Sequence, residues 1–352
     1  YESNVIASEA AGICGEVLDA NTTRLKSVHV GAINSIISTP LGCSYLLTCS
    51  DDKTMALQPL ENDGDQSGGA NEHTTQLWKG HSREVNRIVC NEHDIFSCSR
   101  DLTIKRWSWQ HDKPVATYEG HTLTVSALSI KPDGKKLASG ARDNSVRIWD
   151  IPTGKECARK TTPRNLVTCL KWFQGDCNLL AQGSEDLKLR VWDLRTSILK
   201  SVETYSGYVY FPLCLDVSAD GNEILTGSKG FNGVGCEIRL WDRRAGKTRL
   251  EAKGHEQDVK FCAFLKEHPR LAVSGSKDKS IRLWDLENTT GRSCVADVPM
   301  HGDGSFSAMC LAGEQANDKL TMVYSVSPDG MEDIPELFKA KLDLANLTLS
   351  SP

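Results

Sequence analysis

Residues Ala138 to Asp150 read ASGARDNSVRIWD and follow a Gly120-His121 pair by fewer than twenty residues. His121, Ser139 and Asp143 thus fall near one another, as the members of a hydrolase triad do, and Trp149 closes the run. A single copy does not separate a catalytic site from a structural one. The stretch is not single.

It returns as SCSRDLTIKRWSW around Trp107, AQGSEDLKLRVWD around Trp192, TGSKGFNGVGCEIRLWD around Trp241 and VSGSKDKSIRLWD around Trp284. The five tryptophans are spaced by 42, 43, 49 and 43 residues, a period that fits the four-stranded blade of a propeller. Within one unit, VSALSI, KKLASG and SVRIWD are short runs rich in β-branched residues. Turn chemistry such as Pro132-Asp133-Gly134 and Asp143-Asn144 divides them. Two weaker copies complete the count. His29 to Leu60 forms a first unit with Gln58 in the tryptophan's place, and a last unit begins near His301 and contains TMVYSVSPDG and ELFKAKL. The chain runs out after the third strand of this last unit, while TRLKSV (Thr23–Val28) stands unpaired before the first. The expected fold is therefore all-β: a seven-bladed β-propeller whose ring is closed by an N-terminal strand, which leaves no open gap between first and last blades. Residues 1–22 form a lead segment. Blades are expected near 29–75, 76–117, 118–157, 158–204, 205–250, 251–296 and 297–342, the last completed by 23–28, and 343–352 form a tail.

Recurrence also answers the opening question. His81, Ser97, Asp101 and Trp107 hold the same relative places as His121, Ser139, Asp143 and Trp149, and His255, Ser274, Asp278 and Trp284 hold them again. Each serine lies four residues before its aspartate and each tryptophan six after it. Three triads in three blades serve no single reaction. The pattern resembles the structural tetrad of the WD-repeat family, in which Asp, His, Ser and Trp form a hydrogen-bond chain inside each blade. Such a chain satisfies a buried indole N–H and imidazole while locking adjacent strands. The resemblance covers about Thr23 to Leu342 and implies scaffold rather than catalysis. No catalytic residue, cofactor or metal is expected.

Departures from the repeat carry the functional information. Unit four has Pro163 and Gln182 where His and Ser belong. Unit five lacks the turn aspartate and carries extra residues from Lys229 to Cys236. Unit one inserts ENDGDQSGGANEH after its third strand, and unit seven ends in MEDIPELFKAKL instead of Trp-Asp. The loop Gly-Phe-Asn-Gly-Val-Gly-Cys-Glu in unit five resembles one subfamily of the WD-repeat proteins. That resemblance implies a non-enzymatic adaptor of cilia and intracellular trafficking, located in the cytoplasm and in cilia.

Bulk properties narrow the partners. The chain has 352 residues with 39% hydrophobic and 25% charged residues and a net charge of −5, which marks a globular chain without the basic stripe of a nucleic-acid surface. No apolar run reaches the length of a membrane span. Thirteen cysteines, odd in number and without a C-x-x-C pair, point away from zinc and thioredoxin-type sites and toward small buried hydrophobes. Other proteins are the expected partners, with no nucleic acid and no membrane insertion, the chain itself being monomeric within larger assemblies.

Three groups of residues are candidates for contact. Turn residues Asp51, Arg100, Arg142, Glu185 and Lys277, with Arg164 on a neighbouring entry loop, would ring the central channel, either as plainly solvated turn charges or as a ring whose arginines read an acidic or phosphorylated peptide. Tyr208, Tyr210 and Phe211 in SGYVYFPLC, with Phe231 on the adjacent insertion, form an aromatic rim suited to an interface hot spot, although some of these rings have room to pack into the blade. Finally, Trp192-Asp193-Leu194-Arg195 and Trp241-Asp242-Arg243-Arg244 fit the Trp-Asp-x-Arg ending of cullin-four ubiquitin-ligase receptors, so that Trp192, Asp193, Arg195, Trp241, Asp242 and Arg244 form an alternative adaptor-binding set.

Overall fold

A computed structural model describes residues 16–17, 20–40, 45–60, 75–196, 198–288, 293–312, 318–328 and 334–345, and every named element in them is a strand. The strands form seven sheets, whose antiparallel cores lie within 33–79, 85–118, 125–161, 167–205, 212–252, 259–299 and 305–343, with two N-terminal strands added to the sixth and seventh. The first strands of consecutive sheets neighbour one another around a ring, and the first strand of the seventh lies beside that of the first. The chain is a seven-bladed β-propeller.

Closure follows from a simple shortage: among the described residues blade seven has three strands of its own. Asn21–Leu25 supplies the fourth, pairing antiparallel with Glu336–Asp343 so that Asn21 faces Lys341 and Leu25 faces Leu337. An ion pair between Arg24 and Glu336 lies across this join. Upstream of it, Glu16–Val17 runs parallel to Cys294–Pro299 and makes a fifth strand on blade six, a pairing that the repeat pattern does not announce.

The sheets are offset from the repeat boundaries. Gln76–Lys79 is the outer strand of blade one although the repeat boundary at 75 assigns it to blade two, and the boundaries at 157 and 296 cut through Glu156–Thr161 and Cys294–Pro299. The repeat is phased by its histidine and tryptophan, whereas outer strands such as QLWK and ECARKT carry no residue of fixed chemistry. The insertion ENDGDQSGGANEH, most of the lead segment, most of the tail and the start of MEDIPELFKAKL lie outside the described residues.

Burial explains the alternation seen in each unit. The apolar core divides into seven clusters, one in each seam between blades. Between blades two and three, for example, Phe96, Tyr118, Leu128 and Trp149 meet. Each large side chain taken out of water there contributes about 1.5–3 kcal/mol.

A polar device complements these seams. The innermost strand of every blade carries a β-bulge near its start, at the second residue in blades one to six and at the third, Ser307, in blade seven, and a bulge re-aims one side chain. In four blades that side chain donates to the backbone of the next blade: Asn34 to the Val85 carbonyl at 2.9 Å, Asn86 to Val125 at 2.8 Å, Ser126 to Val167 at 2.5 Å and Thr168 to Pro212 at 2.6 Å. The series stops where the bulged residue becomes Leu213, which has no donor.

Candidate interaction site on the propeller rim

The site is framed by braces inside the blades. In blade three, His121 Nδ1 lies 2.8 Å from the Asp143 carboxylate and His121 Nε2 lies 2.8 Å from Ser139 Oγ, which also accepts the Trp149 indole N–H at 2.8 Å. A carboxylate beside Nδ1 fixes the proton there, so Nε2 accepts from the serine hydroxyl. Ser139 is fully buried, and its hydroxyl is spent inside the chain of bonds. Blades two and six repeat the arrangement through His81, Ser97, Asp101 and Trp107 and through His255, Ser274, Asp278 and Trp284 at 2.7–2.9 Å.

The aspartate also shapes the turn. Its second oxygen accepts the backbone N–H two residues on, from Thr103, Ser145 or Ser280, while Leu102, Asn144 and Lys279 between them take positive φ. Burial alone would raise these carboxylates, but hydrogen bonds from the histidine and the turn hydroxyl hold Asp101, Asp143 and Asp278 well below the usual range. Burial pushes the His255 imidazole below its ordinary value, toward the neutral form.

Repeats of this kind are described as "WD domain, G-beta repeat", and that family description matches residues 112–150, 155–193 and 246–285. The chain is a WD40-repeat propeller. It is similar to Nuclear distribution protein nudF 1 of Talaromyces marneffei, with 31% identity over 293 residues, 75% of this chain and 61% of that protein. Periodic tryptophan protein 2 of Arabidopsis thaliana is 28% identical over 248 residues, 68% of this chain and 27% of the relative. Pre-mRNA-processing factor 17 of Mus musculus is 25% identical over 229 residues, 64% of this chain and 31% of the relative. The chain thus spans less than two thirds of each of these proteins.

Three WD40 blades rebuild the brace with other residues. In blade one, His29 bridges Asp52 and Thr48, both at 2.9 Å; burial opposes ionisation of Asp52, but bonds from His29 and Thr54 hold it at about 2. Gln58 is buried in the tryptophan's place. Blade four joins the Trp192 indole to Gln182 at 2.6 Å, Gln182 to Asn165 at 2.5 Å and Asn165 to Arg190 at 3.1 Å, and Arg190 closes on Asp186. Blade five uses Tyr208, whose hydroxyl meets Thr226 Oγ1, the acceptor of the Trp241 indole N–H.

This last brace corrects the aromatic rim. Tyr208 is buried because it fills the space left by the absent histidine, and the Arg239 guanidinium covers its ring at 5.1 Å. Phe211 is half-buried beneath the Lys229 ammonium. Tyr210 and Phe231 remain at the surface with 41% and 67% exposure, joined by Val209 at 54% and Val234 at 55%.

The insertion that bears Phe231 is a tight hairpin. Phe231 and Val234 exchange both backbone hydrogen bonds at 3.1 Å, and Asn232 and Gly233 between them both take positive φ, the turn that Asn-Gly favours. It is pinned to blade six, where Glu256 O accepts from Gly233 N and the Asp258 carboxylate from Gly230 N. Gly235 takes φ +79 and lies against the Tyr210 ring, where a Cβ would come within 2.3 Å of the ring edge. Rim and hairpin are one packed unit.

The other candidates fare differently. Arg100 pairs with Glu84, Arg142 with Glu185 and Lys277 with Asp258, so the channel ring alternates in sign and much of its cationic character is answered from within. Arg164 is exposed in the loop leading into blade four, with φ +61. On the opposite rim, Arg195 pairs with Asp193 and Asp176, and Arg244 donates to Asn222. Trp192 and Trp241 are buried in their braces, and Asp242 accepts from the Ala245 N–H.

Proposed function

We propose that this WD40 propeller is a non-enzymatic protein-interaction scaffold that holds its principal partner on the blade-five rim. The observation that carries the reading is the grouping of Val209, Tyr210, Phe231 and Val234, four exposed apolar side chains on one hydrogen-bonded support. Exposed aromatics on a fixed backbone suit an interface hot spot, because little ordering entropy is lost when a partner docks. The braces support a scaffold role in the same way: their serine and histidine groups are buried and fully engaged with one another.

The cellular setting is proposed from resemblance. The loop Gly230–Glu237 resembles that of WD-repeat protein thirty-one, which suggests an adaptor in ciliary or intracellular trafficking, resident in cytoplasm and cilium. Proximity labelling in cells with the parent chain and with Tyr210→Ala/Phe231→Ala tests the proposal. Ciliary and trafficking proteins labelled by the parent and lost with the variant are the expected result, whereas an unchanged set of neighbours would remove the rim from consideration.

A further inference from the structure

The outer mouth of the seam between blades three and four is a groove of about 610 Å³. Trp192, Ile198 and Leu199 line its apolar part, while Lys160 stands on the blade-three side and Lys188 and Lys200 on the blade-four side. The three lysines are exposed, and none makes an ion pair among the described residues. This contrasts with the channel ring, where Arg100, Arg142 and Lys277 each have a carboxylate, and with the net charge of −5. Deeper in the groove Arg190 is engaged by Asp186. An apolar floor with three unanswered cations around it is complementary to a negative segment.

The backbone beside the groove is equally open. Glu156–Thr161, the outer strand of blade three, pairs on one side with Ser145–Asp150 and has no strand on the other among the described residues. Its alternate residues Ala158 and Lys160 face blade four, Ala158 packing on the apolar cluster of that seam. This chain already shows what such an edge accepts, since Glu16–Val17 adds to the outer strand of blade six.

We propose that an extended acidic segment of a partner protein adds as a fifth strand to Glu156–Thr161 and turns alternate carboxylates toward Lys160, Lys188 and Lys200. Main-chain bonds to the edge supply affinity, and the period-two alternation of side chains supplies specificity. Ile198, 72% exposed, offers apolar contact between the charges. A nucleic-acid strand fits less well, because base stacking needs an open aromatic face and Trp192 is buried. The groove shares no residue with the blade-five rim, so either assignment stands or falls alone.

A short fluorescein-labelled peptide alternating Glu and Val tests this on the full chain by anisotropy. Binding should weaken with salt and fall roughly tenfold or more in Lys160→Glu/Lys188→Glu/Lys200→Glu, while Tyr210→Ala/Phe231→Ala binds like the parent. A peptide N-methylated along the pairing edge should lose affinity to a similar degree. If charge reversal impairs folding, Lys→Gln at the same positions, judged by an unchanged melt, gives the same reading. No binding of the peptide, or equal binding by parent and lysine variants, overturns the proposal. Tighter binding of a short oligouridylate, lost in the same variants, overturns it in favour of nucleic acid.

Discussion

The Tyr208 hydroxyl lies 3.0 Å from Thr226 Oγ1, and the same oxygen receives the Trp241 indole N–H at 3.1 Å. A tyrosine thus performs in blade five what histidine performs in blades two, three and six. Burial pushes the Tyr208 phenol well above its ordinary value, which keeps it neutral and able to donate. Tyr208→Phe removes one bond and should cost about 1 kcal/mol, whereas Thr226→Val leaves the buried indole N–H without its acceptor and should cost about 1–3 kcal/mol. Thermal melts should therefore rank parent, Tyr208→Phe and Thr226→Val in falling order. The reverse order for the two variants would contradict the brace.

Asp143→Ala should loosen blade three. The carboxylate accepts from His121, Thr122 N, Ser145 N and Ser145 Oγ, and stranding such donors costs about 1–3 kcal/mol. A melt equal to the parent's would show that the bonds contribute nothing to stability.

Acid should act through the same aspartates. Asp52 is held at about 2 by its bonds to His29 and Thr54 against the cost of burial, and Asp101, Asp143 and Asp278 are likewise depressed. An unfolded aspartate titrates at about 3.9, so on acidification the unfolded chain takes up protons first. The stabilisation is complete above about pH 4 and is lost as pH falls toward the folded values. The neutral His255, whose value is lowered by burial, adds a loss that begins as pH falls through about 6.5. Melting temperature should drop between neutral pH and pH 3, and by less in Asp143→Asn than in the parent. A steeper drop in the variant would reverse the sign of this linkage.

Much of this was legible because a brace demands fixed spacing. Ser97, Ser139 and Ser274 stand four residues before an aspartate, and the tryptophan stands six after it, so the blades show themselves in one chain. The same spacing places Thr48 four before Asp52 and Gln182 four before Asp186, a readable sign that blades one and four keep modified braces. Asn165 and Arg190 were not readable, since each brings a different chemistry from a different backbone position, whereas Tyr208 follows a glycine and stands four residues before its inner strand, as His81, His121 and His255 do before theirs. The clasps Asn34, Asn86, Ser126 and Thr168 leave a faint trace as polar residues at the second place of the inner strand. The lysine groove leaves none, because two blades build it and neither stretch is unusual alone.

Removing residues 1–28 should expose the edge of Glu336–Asp343, which Asn21–Leu25 covers. An unpaired edge of that length invites association with other chains. Light scattering should show aggregation, together with a large fall in melting temperature. A truncated chain that stays monomeric and melts like the parent would contradict closure by this strand.

Gly235→Ala probes the support of the rim. With φ at +79 and the Tyr210 ring within 2.3 Å of the added Cβ, the substitution strains the backbone and displaces the ring at a cost of about 1 kcal/mol or more. Partner binding should weaken with only a small change in melt, and unchanged binding would separate Tyr210 from the interface.

The most direct measurement is the affinity of the principal labelled partner for the parent, Tyr210→Ala, Phe231→Ala and, as a control in blade three, Leu123→Ala, each paired with a thermal melt. Loss of about 2 kcal/mol of binding in each aromatic variant, with melts preserved and the Leu123 variant binding like the parent, is the predicted result. Full affinity in both aromatic variants, with melts preserved, would contradict the blade-five rim as the partner site.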